Sequence, residues 1–583
     1  ISVSNALEWK TMDYTPMGWL KTLVYPTNRA YDTAYHAENH WYDAEGRQTK
    51  RQAVSGAFYK NEYDVMGRQT ASFVPDGSTL AYGVEKYIQA ESNRYDGLGR
   101  LVWTRDIRGL EVSNTYDAVG QLTGKAYPDG STEAWTYNLW GDMTSAKDRA
   151  GNIVSNVYDS FGRVVRRIDA RGGQMGHGYN DAGLMVALTN ALEQVWRFEY
   201  DAEGRMVQTT HPDDTVETRA YDPLGNVTQS VKGGVATTYA YDELGNRTSV
   251  AVDGQAVESA TYDGLGRLLA SVDADGLSIS NTWNSWGQAD ARTWPGGVAE
   301  TYRYGDRGLT NTTDRLGILV RQQRDTLGRL TNQIDGATNS IRYAYWSNGV
   351  DQLRYLWDGN GNPTAWDFDA FGNMTNKVYA DGTADRYQYD RLNRVTNKLD
   401  AAGMATRYAY DAKGNLLAMF PGSDPQVSYA YDALDRRTNM VDGVGATRWT
   451  YDAMGRLASE SGPFGTTVSA AYDTFGRMTN ISFSGRTWSY QYDAIGRVTN
   501  LVAPEGAYRF AYLQQGMRKT FVRYPNGVEA ALTYDGWTRL TNLACSAGGT
   551  SRLSIAYAYD MDDRRTNETW DSGRNMAYAY DGA

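Results

Sequence analysis

The chain has 583 residues, 13% aromatic and 22% charged, with a formal net charge of -11 and one cysteine, Cys545. An acidic balance with dispersed arginines argues against a nucleic-acid surface, which needs clustered Lys and Arg, and one cysteine excludes an intramolecular disulfide. No run of about 18 apolar residues marks a membrane span, and no charged-then-apolar leader opens the chain.

Taken in order, the chain repeats itself. A half-formed copy at Tyr14 to Gly18 is followed by Tyr42-Asp43-Ala44-Glu45-Gly46-Arg47, and this Tyr-Asp-x-x-Gly-Arg pattern then returns about every 21 residues. Near-intact copies begin at Tyr63, Tyr95, Tyr158 (with Asp159, Gly162, Arg163), Tyr200, Tyr262 (Asp263, Gly266, Arg267), Tyr451 (Asp452, Gly455, Arg456), Tyr472 and Tyr492 (Asp493, Gly496, Arg497). Weakened copies fill the gaps, among them Tyr116 to Gln121, Trp283 to Gln288 and Phe368 to Asn373. A fixed period of this kind predicts a repeat architecture, with residues 1–583 as one array of about 25 units, each packing chiefly on its neighbours.

Asp at the first position of a type I turn and Gly at the fourth is the pattern of a bulged hairpin tip. About ten residues after most motifs comes a second turn signal, as at Asp106 to Gly109, Asp148 to Gly151, Asp169 to Gly172, Asp314 to Gly317 and Asp400 to Gly403, or a shorter Asp-Gly at Asp76, Asp129 and Asp381. Two turns predict two short strands per unit. Pairs such as Tyr239 with Tyr241 and Tyr429 with Tyr431 alternate as strand residues do. Parallel crossovers would need longer connections, and the frame of a leucine-rich solenoid is missing, so the expected fold is all-β and antiparallel. Three stretches break the rhythm: an insertion at 71–94 and irregular units at 345–368 and 512–537.

With 44 Tyr against 12 Phe and a mean hydropathy of -0.59, the expected sheet is thin, held by cross-strand aromatic ladders rather than a thick core. The motif arginines are expected to pair with a nearby carboxylate or stack over tyrosine.

These motifs resemble the Rhs or YD-repeat family, which includes bacterial Rhs polymorphic toxins, Tc toxin B and C subunits, wall-associated proteins and animal teneurins. The resemblance runs over nearly the whole chain. It implies a spiralling β-sheet that closes into a hollow shell, secreted or displayed at the bacterial cell surface, which in toxin members encloses a C-terminal toxic domain as its partner. Ribbon geometry agrees: about 50 strands at ~4.8 Å span roughly 240 Å, and open sheets rarely exceed ~10 strands without curling. The Asp-Pro-rich self-cleaving core of toxin members has no counterpart here, because Asp222-Pro223 and Asp424-Pro425 lie within or between ordinary repeats. Ile1 and the half-finished repeat at Tyr580 to Ala583 are expected of a piece of a longer protein.

Other chemistry is weaker. His36, Glu38 and His40 are the one tight group of metal-ligand types, without a helical protease spacing. The acid pairs Asp213-Asp214 and Asp562-Asp563 fall at turn positions rather than flanking a sugar, and Cys545 has no nearby His. Trp135 with Trp140, Trp283 with Trp286 and Trp294, and Trp357 with Trp366 are the local clusters a sugar platform would use, but several occupy motif positions. The Asn-x-Ser/Thr sequences, such as Asn226 and Asn480, arise inside the repeat. The sequence therefore predicts no catalytic residue, metal or cofactor. It predicts a non-catalytic shell segment for a C-terminal effector outside this chain, with a surface adhesion or carbohydrate-binding array as the alternative and a hydrolase a distant third.

Overall fold

The computed structural model describes all residues except 1, 6–7, 25–36, 54, 76–86, 306, 326, 347–350, 514–515 and 581–583. Among the described residues, 54 strands form one sheet in which each strand pairs antiparallel with its chain neighbours. The one helical element among them is a single 3₁₀ turn, Pro295–Gly297. No described helix is long and apolar enough to cross a membrane.

One unit shows how the sequence builds this. Strand Ile153–Tyr158 passes through the motif turn into strand Val164–Ile168, and a second turn leads to strand Gln174–Tyr179. At the motif turn, which we call the tip, Asp159 N donates to the Arg163 carbonyl at 3.0 Å and Gly162 N to the Asp159 carbonyl at 3.1 Å. The second, or return, turn repeats both bonds, from Asp169 N to Gly173 O and from Gly172 N to Asp169 O, each at 2.9 Å. The two turns thus differ in side chains rather than in backbone design. In this unit a β-bulge separates Val157 from Tyr158 on the tip side, where Tyr158 pairs with Val164, while pairing toward the return turn is regular. An extra residue on one side of each hairpin bends the ribbon and adds to its right-handed twist.

The sheet is a single layer. Strand Glu111–Tyr116 alternates exposed and half-buried residues, and strands pack on their chain neighbours throughout. Ten apolar residues are fully buried among those described, seven of them alanines. Hydrocarbon burial is too sparse to act as the main organiser, which matches the thin sheet expected. The irregular units keep their strands: Leu353–Trp357 and Pro363–Phe368 in one, Lys519–Arg523 and Val528–Tyr534 in the other. The middle of the 71–94 insertion, with the turn signal at Asp76, lies outside the described residues.

The ribbon also comes back on itself. Return turns early in the chain meet tips about 243 residues later: the turn after strand Leu268–Asp273 meets the one before Lys519–Arg523, where Arg518 Nη1 lies 2.5 Å from Asp275 Oδ2. Trp294 stacks on Trp537 with centroids 6.3 Å apart and planes 11° from parallel. Lys413 Nζ reaches Asp169 Oδ2 at 2.9 Å. About 23 strands make one turn of this coil, and at ~4.8 Å per strand the circumference is roughly 110 Å, a diameter near 35 Å.

Candidate functional surface: the tip rail and the seam

The motif residues form a recurring hydrogen-bonded rail along the tips, fullest where the motif keeps its arginine and tyrosine. In each intact motif the Asp carboxylate splits its work. Asp159 Oδ1 accepts from the amides of Phe161 and Arg163 at 2.9 and 3.0 Å, while its Oδ2 accepts from Arg163 Nε at 2.7 Å. The same Arg–Asp pairing recurs at 2.6 Å in Arg47–Asp43 and Arg456–Asp452, and at 2.7 Å in Arg267–Asp263 and Arg497–Asp493.

Each arginine then reaches forward to the next unit. Arg47 Nη1 donates to the Asp64 carbonyl at 3.1 Å, Arg163 to Asn180 at 3.2 Å, Arg267 to Asn284 at 3.4 Å, Arg456 to Asp473 at 2.9 Å and Arg497 to Gly516 at 2.9 Å. The same guanidinium lies over the next motif ring, at 5.3 Å for Arg47 on Tyr63, 4.8 Å for Arg163 on Tyr179, 5.9 Å for Arg267 on Trp283, 4.9 Å for Arg456 on Tyr472 and 4.8 Å for Arg497 on Tyr512. The motif tyrosines reach backward. Their hydroxyls donate to a backbone carbonyl of the preceding unit: Tyr158 to Met143 at 2.7 Å, Tyr262 to Arg247 at 3.1 Å, Tyr451 to Arg437 at 2.7 Å and Tyr492 to Met478 at 2.6 Å. Tyr42 instead packs against Trp19, at 5.6 Å, which stands where a motif would carry its arginine.

The glycines whose turn requires positive φ have φ of 80° at Gly46, 77° at Gly162, 74° at Gly266, 81° at Gly455 and 91° at Gly496. An L-residue pays to enter that region.

This overturns the expected ring-on-ring ladder. Among the described residues, no ring pair joins motif tyrosines of adjacent units; the contacts involve residues such as Tyr355 with Trp357 and Tyr508 with Tyr524. Arginine is interleaved instead, so that cation–π and carbonyl contacts replace aromatic stacking. The physical reason is spacing: neighbouring motif rings are separated by an intervening strand, and a guanidinium fills that gap while satisfying the tip carbonyl.

Where the ribbon meets itself, a seam joins return turns to tips. Arg171 Nη2 lies 2.5 Å from Asp435 Oδ1 and donates to the Asp432 carbonyl at 2.9 Å. Arg108 Nη1 donates to the Phe371 carbonyl at 3.0 Å. Arg315 Cζ lies 4.8 Å from the Trp294 ring and 5.3 Å from the Trp537 ring, and its Nη2 pairs with Asp563 at 2.9 Å. The two acid pairs weighed for catalysis lie here: Asp562 is 3.6 Å from Arg315 Nε, and Asp213 is 3.9 Å from Arg456. Burial, and then the neighbouring Asp314, pushes the Asp562 carboxyl up from its ordinary range. Nothing in the local sequence marks a seam residue, because Arg108 and Arg171 look like any turn residue and their partners lie more than 260 residues away.

His36 falls outside the described residues. His40 Nε2 is 3.9 Å from Glu38 and its Nδ1 is 2.7 Å from Gln48; burial is the main cause of its lowered pKa. No group of three metal-ligand side chains occurs among the described residues. Of the tryptophans weighed as a sugar platform, Trp283 donates its indole N–H to the Leu268 carbonyl at 3.0 Å, Trp294 is committed to the seam, and Trp140 stands 86% exposed.

Comparison with known proteins gives concordant results. A family model described as RHS Repeat matches residues 116–153, 179–216, 221–257, 368–402 and 389–419, and one described as Teneurin YD-shell matches 447–545. No curated protein matches. The crystal structures of TcdB2-TccC3-TEV and of TcdB2-TccC3 without its hypervariable C-terminal region each resemble the chain with a TM-score of 0.50 at 14% identity, over 95% of this chain and 33% of theirs. The chain thus spans about a third of the length of these neighbours, and the likeness is one of fold. With its tip rail and its single coiled sheet, the chain carries RHS repeats over the residues matched by the first model and a segment like the teneurin YD-shell over 447–545.

Proposed function

We propose that the chain is a non-catalytic wall segment of a secreted or surface-delivered bacterial shell, which encloses or scaffolds a C-terminal effector lying outside these 583 residues. The observation that carries this reading is the seam: a ribbon that returns to itself every 23 strands or so is a wall around a space, rather than a flat presenting surface. The likeness to TcdB2-TccC3 supports it at the level of fold. Self-pairing through ion pairs and backbone bonds, rather than through a thick core, suits a wall that is one sheet deep.

The test is limited proteolysis of the full-length protein. If this reading holds, the segment following the repeats resists protease until the shell is unfolded. Digestion of that segment at the rate of the same segment made alone contradicts it. The exposed indole of Trp140 favours a second reading, a carbohydrate-binding array, and glycan binding lost in Trp140→Ala would support it.

A further inference from the structure

One position of the repeat changes character along the chain. Three residues before the first motif position, the later units carry Arg321, Arg342, Arg386, Arg407, Arg448 and Arg509. Earlier units carry Ser113, Ala134, Ser155, Gly176, Thr218 or Ser259 there, with Arg197 an exception. The same backbone position thus folds without a guanidinium, and the strand does not require one. Strand register places these arginines on one face of the sheet. Gln323 pairs with Asn332 and Asn332 with Arg342, Gln388 with Asn397 and Asn397 with Arg407, and Gln491 with Asn500 and Asn500 with Arg509. Each arginine is exposed. Arg342 lies 5.2 Å over Trp357, which stacks on Tyr355, and Arg407 lies 5.5 Å over Phe420. Arg321, Arg386, Arg448 and Arg509 pair with no carboxylate among the described residues. Asp367 is the sole acid among the described strand residues of this face between strands Leu319–Arg324 and Gly506–Tyr512.

A chain of net charge -11 therefore displays a stripe of one sign, and that sign is positive. Solubility is served by interspersed charges, whereas a single-sign field along a line fits an anionic partner. We propose that this arginine stripe is a docking track for an extended acidic polypeptide with Glu or Asp at every third or fourth residue. Spacing selects that partner. Arg386 and Arg407 stand two strands apart and are offset by two residues along the strand, which is roughly 12 Å at ~4.8 Å per strand and ~3.3 Å per residue. An extended polypeptide advances about 3.3–3.6 Å per residue, so every third or fourth side chain meets a guanidinium. A nucleic-acid strand carries a phosphate about every 3.4 Å and would leave most of its charges unmet. The choice of arginine fits as well, because its planar fork takes both oxygens of a carboxylate, and the stripe uses no lysine. Acidic motifs held by arginine clusters are a recurring mode of peptide recognition.

The probe is a fluorescein-labelled oligoglutamate of about 20 residues, roughly 70 Å when extended, titrated with the chain at low salt and followed by anisotropy. Saturable binding is expected. It should weaken at least about tenfold in Arg386→Gln/Arg407→Gln, which removes two charge-assisted contacts, and should be unchanged in Arg197→Gln. Oligothymidylate and polygalacturonate of similar length stand for the other polyanions, and tighter binding of either than of oligoglutamate overturns the proposal. So does the absence of oligoglutamate binding, or an equal loss from the Arg197 variant and the paired variant. These positions are exposed, so the fold is expected to persist, and circular dichroism checks it. Should the first pair misfold, Arg448→Gln/Arg509→Gln decides by the same criterion.

Discussion

The guanidinium of Arg205 lies 5.0 Å from the centroid of the Tyr221 ring while its Nη1 donates to the Asp222 carbonyl at 3.0 Å. One side chain thus joins two consecutive tips through a ring face and a backbone acceptor, and its Nε is held by Asp201 at 2.7 Å. A planar fork can do all three at once; an ammonium cannot. Arg205→Ala is expected to speed amide exchange in the 217–226 hairpin about tenfold, and Arg205→Lys is expected to recover little of that loss. Full rescue by lysine would show that charge alone links the tips.

Tip glycines are separable within a single turn. Gly99 has φ of 84° and Gly97, two residues earlier, lies outside that region with open space where a Cβ would go. Gly99→Ala should cost about 1 kcal/mol, whereas Gly97→Ala should be neutral or stabilise by about 0.5 kcal/mol. Denaturant midpoints of the two variants check this, and equal effects would remove the turn argument.

The backward reach of the motif tyrosine is testable by deleting one atom. Tyr158→Phe keeps the ring and loses the 2.7 Å bond donated to the Met143 carbonyl together with the long 3.4 Å one accepted from Asn156 Nδ2, so a loss of about 1 kcal/mol is expected. A variant as stable as wild type would mean that water replaces the hydroxyl without cost.

Stability should fall at both ends of the pH scale. Asp64 is held below the usual carboxylate range by the Arg68 side-chain hydrogen bond first, and Asp222 by the Asn226 side chain. Groups depressed in the folded state contribute stability that is present above their unfolded value, about 4, and lost as the pH falls through the folded one. Tyr200 and Tyr410 are raised, chiefly by burial; their contribution is present below about pH 10 and lost above it. Guanidinium midpoints should therefore be flat from about pH 7 to 9, ease slightly below that as the buried His40 takes up a proton, and decline more steeply below about pH 4 and above about pH 10. A midpoint unchanged down to pH 3 would show that the tip carboxylates do not support the fold.

The local design was legible in the sequence and the global one was not. Asp159 and Gly162 announce their turn because the type I geometry and positive φ select those residues, and a return turn such as Asp169 to Gly172 announces itself in the same way. The arginine's double role was half legible: carboxylate pairing and ring stacking were foreseen, but the bond from Arg163 to the Asn180 carbonyl depends on strand register that only coordinates give. The coil's pitch sums the small bend of each bulge over many strands, so that the meeting of Arg171 with Asp435 leaves no trace near either residue. Trp140 and Trp537 show the same limit, since both stand just before the positive-φ residue of a tip, Gly141 and Thr538, and one is bare while the other is stacked.

The most direct test of the coiled wall is the distance between residues 171 and 435, measured by pulsed dipolar spectroscopy on spin labels placed at both in a Cys545→Ser chain. A ribbon that returns to itself predicts a short separation, about 20 Å with label linkers, because the parent side chains touch across the seam. The same 25 strands laid out as an open ribbon would separate the labels by roughly 120 Å at ~4.8 Å per strand. A distribution centred far beyond the coil's diameter of about 35 Å would contradict the wall, and with it the reading of the chain as part of a shell.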